Sequence, residues 1–302
     1  MPLVRLTATK PAALLSVSLV LNLALAALIM GAPPALAGAV EIEASALPLH
    51  PGDGGVTKAG KLTYRGGLGL KSPDRHFGGF SALGVSADGS RMVAISDAGR
   101  RLAANLVYDA TGNLAGIADA ALDTLADEDG RPLSQKVDSD AEAMSAGVAG
   151  EIIVAFERRH RLWRYLPGEL VPRALSSPAE LARLPANSGI EALSLLADGR
   201  LIAIAEGDAA KANTLAWVSD PKGWSVMTYA LADGFRPTGA ATLPDGDVLV
   251  VERRYTLRSG VAARVRRLAA SAIEPGAELQ GELIAELRPP VNVDNMEGIE
   301  TI

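Results

Sequence analysis

The sequence predicts an all-β fold, a β-propeller of about five to six four-stranded blades with the last one incomplete. Three observations lead there: a unit that recurs at near-constant spacing, Asp-Gly pairs set between short apolar runs, and almost no stretch with helical periodicity.

The repeat comes first. Ser81-Ala82-Leu83 leads to Asp88-Gly89 and then to Met92–Ser96, closed by Asp97. Glu142-Ala143-Met144 leads to Ala149-Gly150 and Ile152–Phe156, closed by Glu157. Glu191-Ala192-Leu193 leads to Asp198-Gly199 and Leu201–Ala205, closed by Glu206, and Thr238-Gly239-Ala240 leads to Asp245-Gly246 and Val248–Val251, closed by Glu252. In every copy the entry residue stands eight positions before the glycine. The unit is roughly 50 to 60 residues long, the size of a propeller blade.

Asp-Gly between apolar runs signals a hairpin, because such turns need residues that tolerate positive φ. Val, Ile, Leu and Ala between the turns read as buried strands. Leu162–Tyr165 and Thr214–Val218 supply outer strands, and only Pro178–Leu184 reads as helix. A fifth copy opens at Asn295-Met296-Glu297-Gly298-Ile299 and stops at Ile302 before any second strand, so an open edge is expected there in a truncated chain. A strand around Gly60–Tyr64 is the candidate to pair with the last blade.

The N-terminus reads as a cleaved leader over residues 1–37, leaving a propeller domain over 38–302. Arg5 and Lys10 precede an apolar run from Pro11 to Met30, and Ala35-Leu36-Ala37 offers small residues where a signal peptidase cuts. A membrane anchor is the rival reading, since the run is long enough to span, but Pro33, Pro34 and the Ala-x-Ala triplet favour cleavage. No later segment is apolar for long enough to cross. Removing Arg5 and Lys10 takes the formal net charge from −6 to −8, which gives no global attraction for nucleic acid. No cysteine is present, so disulfides, thiolate zinc sites and a lipid-modified cysteine are excluded. Export to the periplasm or exterior as a monomer follows, with a large core in place of covalent staples.

The hairpins also predict a site. Residues equidistant from a turn lie side by side in an antiparallel pair. Entry residue and closing acid therefore meet at one end, pairing Ser81 with Asp97, Glu142 with Glu157, Glu191 with Glu206 and Thr238 with Glu252. Radial blades put these pairs, with Glu297, on the rim opposite the Asp-Gly turns. So many carboxylates raise one another's pKa unless compensated. Hard cations such as calcium take six to eight oxygen ligands, and planar guanidinium groups pair with acids and anions. The candidates are Glu142, Glu191 and Glu297 as catalytic acids, Asp97, Glu157, Glu206 and Glu252 as metal ligands with calcium as the cation, and Arg158, Arg236 and Arg253 as anion-binding groups. The alternative is that the acids only terminate strands and the arginines only neutralise them.

Other chemistries find no support. Gly79-Phe80-Ser81-Ala82-Leu83-Gly84 lacks the spacing of a nucleophile elbow. H-E-x-x-H, Walker A and G-x-G-x-x-G are absent, and Asp127-Glu128-Asp129-Gly130 lacks the terminal glutamate of a calcium loop. His50, His76 and His160 are too few for a histidine-based metal site, and His160 between two arginines reads as a surface residue.

These residues resemble the phytase-like family, described as having esterase-like activity. The resemblance rests on Phe77-Gly78-Gly79-Phe80-Ser81-Ala82-Leu83 with Ser96-Asp97, on Asp140-Ala141-Glu142-Ala143-Met144, on Phe156-Glu157-Arg158 and on Gly189-Ile190-Glu191-Ala192-Leu193. It continues through Pro237-Thr238-Gly239, Val251-Glu252-Arg253 and Asn295-Met296-Glu297-Gly298-Ile299. It implies an exported propeller that hydrolyses an ester or phosphoester, with a small anionic ester as substrate. Fold does not fix function, so a lactonase-like metal propeller and a non-catalytic propeller that binds a ligand or protein stand as alternatives. The leader reading has its own test: the exported protein should begin at or near Gly38 by mass spectrometry, and a mature chain that keeps Leu14–Met30 would show an anchor instead.

Overall fold

The computed structural model describes residues 2–8, 38–147 and 149–302, the first of these as backbone only. The apolar run Leu14–Met30 and the Ala35-Leu36-Ala37 cleavage triplet lie outside the described residues. Among the described residues no helix is long and apolar enough to cross a membrane.

The fold is a five-bladed β-propeller. Leu62–Lys71 is the centre of the first sheet, flanked by Pro2–Ala8 on one edge and Glu43–Ala46 on the other. Cleavage before Gly38 would remove Pro2–Ala8 with the leader. The second sheet runs from Phe80–Val85 through Arg91–Ser96 and Arg100–Tyr108 to Leu114–Thr124, with Gly38–Ala39 at its outer edge. The third comprises Ala141–Ala146, Ile152–Phe156, Arg161–Tyr165 and Arg173–Leu175. The fourth comprises Ile190–Leu195, Leu201–Ala205, Asn213–Asp220, Gly223–Ala230 and a short parallel strand, Glu278–Leu279. The fifth comprises Arg236–Thr242, Val248–Thr256, Gly260–Leu268 and Glu282–Leu287. The segment expected to be helical is a 3-10 turn, Ala179–Arg183.

The core is divided among the spaces between blades. Ile95 and Leu125 of the second blade meet Val154, Phe156 and Tyr165 of the third. Ile153 and Leu162 meet Leu193, Ala203 and Trp217, and Ile202, Ile204 and Tyr229 meet Val248, Val250 and Leu268. Leu68 and Leu70 meet Met92 and Leu102. The ring is closed by Leu49, Ala59 and Leu62 against Val251, Val265, Ala285 and Leu287. Each fully buried leucine, isoleucine or valine contributes about 1.5–3 kcal/mol, so the blades hold one another by apolar contact at every junction. The strand around Gly60–Tyr64 does reach the last blade, where Lys61 N–H donates to the Ile284 carbonyl at 2.9 Å.

The incomplete fifth copy has no sheet of its own. It runs between the innermost strands of the fifth and second blades. Thr238 Oγ1 donates to the Met296 carbonyl at 2.6 Å and Thr301 Oγ1 to the Thr242 carbonyl at 2.5 Å. On the other side, a Cβ at Gly298 would lie 2.7 Å from the Leu83 nitrogen, so only glycine fits. Glu300 is carried inward beside Gly84, and burial pushes its carboxyl up to about 7 although the Thr301 and Val85 N–H groups donate to it.

Every inner hairpin carries a β-bulge at the same place. Phe80 pairs with Ser96 and Ala82 with Ile95, so Ser81 is the extra residue. Glu142 stands unpaired between Ala141–Phe156 and Ala143–Ala155. Glu191 and Thr238 occupy the same position in the next two blades. The entry residues therefore do not sit directly across from the closing acids: the bulge takes them out of the ladder and re-aims them.

The register corrects the reading of Glu252. Ser96, Phe156 and Ala205 pair with Phe80, Ala141 and Ile190, and the residue that pairs with Pro237 is Glu252. Glu252 thus fills a core position, while Arg253 takes the place that Asp97, Glu157 and Glu206 hold in the other blades. It is fully buried and accepts hydrogen bonds from Tyr229 Oη at 3.0 Å, from Arg266 Nε at 3.2 Å and from Arg264 Nε. Its carboxylate is engaged in a buried ion pair in the core, out of line with the other closing acids that were expected to hold a metal.

Two measurements check this account. Glu252→Ala removes the buried carboxylate of Arg264 and Arg266, leaving the buried Arg264 only the exposed Asp233, and should cost about 3–5 kcal/mol in chemical denaturation, whereas an exposed acid would cost almost nothing. Glu300 ionises near 4.5 when unfolded and near 7 when folded, so the folded state binds the extra proton between those values and stability falls as pH rises through them. Glu300→Gln should therefore melt higher than the wild type at pH 8 and lose that advantage below pH 4.5, as read by thermal unfolding across pH.

Candidate functional site

Of the bulge and closing residues, Glu142, Glu157, Glu191 and Glu206 gather with Glu297 at the mouth of the central channel, at the end of the hairpins away from the Asp-Gly turns. Glu191 and Glu297 line a cavity there with Ala143, Met144, Leu193 and Gly298 that encloses about 10 Å³, room for about one water molecule.

The third blade contributes the densest cluster. Carboxylate oxygens of Asp140, Glu142 and Glu157 all lie within 4.8 Å of one another. Asp140 is buried and held by Lys136 Nζ and by Arg158 Nε at 2.6 Å. Burial pushes Asp140 up, but hydrogen bonds with Glu142, Lys136 and Arg158 outweigh it and hold the carboxyl below its ordinary value. Glu142 takes the opposite course: burial, then the hydrogen bond and charge of Asp140, push it up to about 9. The two neighbouring carboxyls are thus driven apart, Asp140 down and Glu142 up. Arg158 adopts φ of 58°, the left-handed region that a branched or long residue enters at a cost of about 1–3 kcal/mol.

Glu157 is buried, and its carboxyl accepts a hydrogen bond from Gly189 N–H. A Cβ at Gly189 would lie 2.9 Å from Glu157 Cγ, which explains the glycine that opens Gly189-Ile190-Glu191. Burial raises Glu157 to about 7, the Gly189 N–H opposes this, and the charges of Asp140 and Glu206 add to it. His160 is half-buried, with Nε2 3.2 Å from the Pro185 carbonyl, so it is less of a surface residue than its arginine neighbours implied.

Glu191 stands at the centre. It is 9 % exposed, and burial followed by the charges of Glu142, Glu206, Glu157 and Glu297 holds its carboxyl well above the ordinary value. Glu297 is also raised by burial, with Arg253 and Asn295 opposing and Glu206 adding to the shift. Arginines neutralise the far side: Arg236 Nη1 bonds Glu206 at 2.6 Å and Arg253 Nη1 bonds Glu297 at 3.0 Å. Arg236 and Arg253 are themselves direct cross-strand partners.

The sequence candidates therefore divide. Glu142, Glu157, Glu191, Glu206 and Glu297 share the mouth with Arg236 and Arg253. Arg158 serves Asp140. Asp97 lies outside the cluster of three, bonded to Lys136 Nζ at 2.8 Å and half-exposed, because Lys136 stands between it and Asp140. Glu252 is away from the mouth, in the core. Asp140 and Lys136 were missed as functional residues. The signal available was the Asp140-Ala141-Glu142 alternation, which puts both acids on one end of a strand, and the Lys136–Asp140 spacing of one helical turn.

No curated protein matches the chain. Among solved structures, a protein of unknown function from Dyadobacter fermentans is 16 % identical with a TM-score of 0.41, covering 68 % of this chain, which spans 64 % of that one. The nidogen/laminin complex is 14 % identical with a TM-score of 0.43, covering 87 % and 82 %. A catalytically inactive virginiamycin B lyase from Staphylococcus aureus, solved with quinupristin, is 12 % identical with a TM-score of 0.39, covering 81 % and 89 %. None of these bears on substrate or partner. The family described as "Phytase-like: Esterase-like activity of phytase" matches residues 75–302, and the chain belongs to that phytase-like family.

Proposed function

We propose that this protein is an exported hydrolase of the phytase-like type, acting as a monomer in the periplasm or outside the cell on a small anionic ester, a phosphoester foremost. The observation that carries this reading is the set of three carboxylates, Asp140, Glu142 and Glu157, with oxygens within 4.8 Å of one another. An all-oxygen, carboxylate-rich donor set suits a hard divalent cation such as calcium. The raised pKa of Glu142 and Glu157 fits as well, since their protons stand in for the positive charge that a cation would bring.

A divalent cation on these three residues would polarise the ester and acidify a bound water. The chain supplies the rest. Arg236 and Arg253 face the anionic group across the mouth, each already oriented by one ring carboxylate. Glu191, whose carboxyl is held well above its ordinary value by burial and its four acidic neighbours, is suited to hand a proton to a departing alkoxide. Glu297 and Glu206 hold the two arginines in place.

A second reading has its own support. Lys136 and Arg158 on Asp140, and the pairs Arg236–Glu206 and Arg253–Glu297, leave part of the ring neutral without any cation. A non-catalytic binding propeller needs no more than this. Calcium, magnesium and manganese titrations followed by thermal unfolding separate the two. On the hydrolase reading one of them raises the melting temperature, by about 2.7 kcal/mol of stabilisation at a hundredfold excess over its dissociation constant. Glu142→Gln should abolish most of that rise, and turnover of an aryl phosphate should be lost with chelator. Lactone turnover without phosphoester turnover would favour the lactonase-like alternative. A melting temperature indifferent to all three cations would leave the mouth as an arginine-neutralised binding surface.

A further inference from the structure

Beside the ring of acids lies a cleft of about 360 Å³ lined by Arg236, Arg253, Arg254, Tyr255, Val261 and Asn295. Its size is at the lower end of small-molecule sites. It exists because one hairpin overshoots. In the third and fourth blades the second strand ends at Phe156 and Ala205, but in the fifth it continues through Arg253 to Thr256, paired with a strand that starts at Gly260. The extra length forms one wall of the cleft next to the channel mouth.

The charges in this wall are not equivalent. Arg236 and Arg253 are each matched by a ring carboxylate. Arg254 has no carboxylate within ion-pair distance among the described residues. Its guanidinium lies 4.5 Å from the centre of the Phe235 ring, Nη1 donates to the Asp233 carbonyl at 3.0 Å, and Nε is buried without an acceptor. The neighbouring acids are taken: the Asp233 carboxylate by Arg264 at 3.1 Å, and Glu252 by Arg264 and Arg266. Three guanidinium groups, Arg254, Arg264 and Arg266, thus face two carboxylates. Among the described residues, then, Arg254 lines the cleft with a guanidinium charge that no carboxylate balances.

The entrance is apolar. Tyr255 and Val261 are cross-strand partners at the end of the hairpin, and Tyr255 is 65 % exposed. Leu257 at the tip is 95 % exposed. A tyrosine ring exposed at the edge of a cleft that also carries guanidinium groups fits a flat, apolar group that carries an acid.

We infer that this cleft is a subsite for an aromatic anion, with the acid group on Arg254 and the ring against Tyr255 and Val261. It rests on the reading that the mouth handles an anionic ester, and gives that ester an aryl portion with its own or a shared acid group. Phosphate and carboxylate share the required chemistry.

Calorimetry on the full mature chain in chelator tests it, with phenylphosphonate, benzoate and inorganic phosphate as probes that are not consumed. Phenylphosphonate should bind more tightly than inorganic phosphate. Arg254→Gln should weaken both by about tenfold, and Tyr255→Ser should weaken phenylphosphonate alone. Arg200→Gln, beside the Asp198-Gly199 turn on the opposite face, should change neither. Arg254→Lys keeps the charge without the planar fork and guards against a folding artefact: it should retain part of the phosphate affinity if the cation matters. Benzoate binding as tightly as phenylphosphonate would assign the acid as a carboxylate, and weaker binding as a phosphate. Wild-type affinity in Arg254→Gln, or no binding of any probe to the wild type, overturns the inference. Phenyl phosphate turnover keeps the two readings apart. Probe binding without turnover leaves the subsite and removes the hydrolase, and turnover with an unchanged KM in Arg254→Gln does the reverse.

Discussion

The site depends on one backbone device, the bulge at the head of each innermost strand. A regular ladder alternates side chains between the two faces of a blade, and would have left Glu142 and Glu191 facing a neighbouring sheet. One extra residue per hairpin releases these positions from pairing and bends the strand towards the axis. Because each bulge stands eight residues before its turn glycine, the same displacement recurs around the ring. A local irregularity, repeated, becomes a concentric arrangement of side chains.

That arrangement concentrates like charge in a place with little water. Burial raises Glu142, Glu157, Glu191 and Glu297, and mutual repulsion adds to it. The compensation is uneven around the mouth. On the third blade a lysine and a strained arginine serve one aspartate, and burial raises the carboxyls of Glu142 and Glu157. On the fifth blade the register brings an arginine, Arg253, to the position of the closing acid. The mouth therefore has an acid-rich side and a cation-rich side, a polarity that an evenly repeated sequence would not produce.

Closure of the ring and completion of the site are one event. Residues 295–302 fit between the innermost strands of the second and fifth blades, and the same segment carries Glu297 into the ring and Glu300 towards the interior. Apolar packing of Leu62 against Val265 and Leu287 fastens the outer part of that junction. Loosening the junction would open the ring and displace a ring carboxylate together.

The sequence by itself determined the repeat, the turns, the all-β class and the end of the hairpins at which the acids gather, since these follow from period-two patterning and from glycines that need positive φ. It also determined the family. Only the tertiary structure decided which acids belong to the site. The shared order of entry residue, turn glycine, apolar run and acid made Glu252 look like Glu157 and Glu206, although it follows its glycine by six residues and they follow theirs by seven. Pairing across the hairpin showed it one residue short, in a core position with Arg264 and Arg266 drawn in from the next strand. Asp140 and Lys136 were hidden for the converse reason: their proximity to Glu142 comes from a single helical turn folding back on a bulged strand. Strand register and bulges are set by the sum of packing around them, so a charge that is one residue out of step along the chain becomes, in space, either a buried ion pair or a ligand.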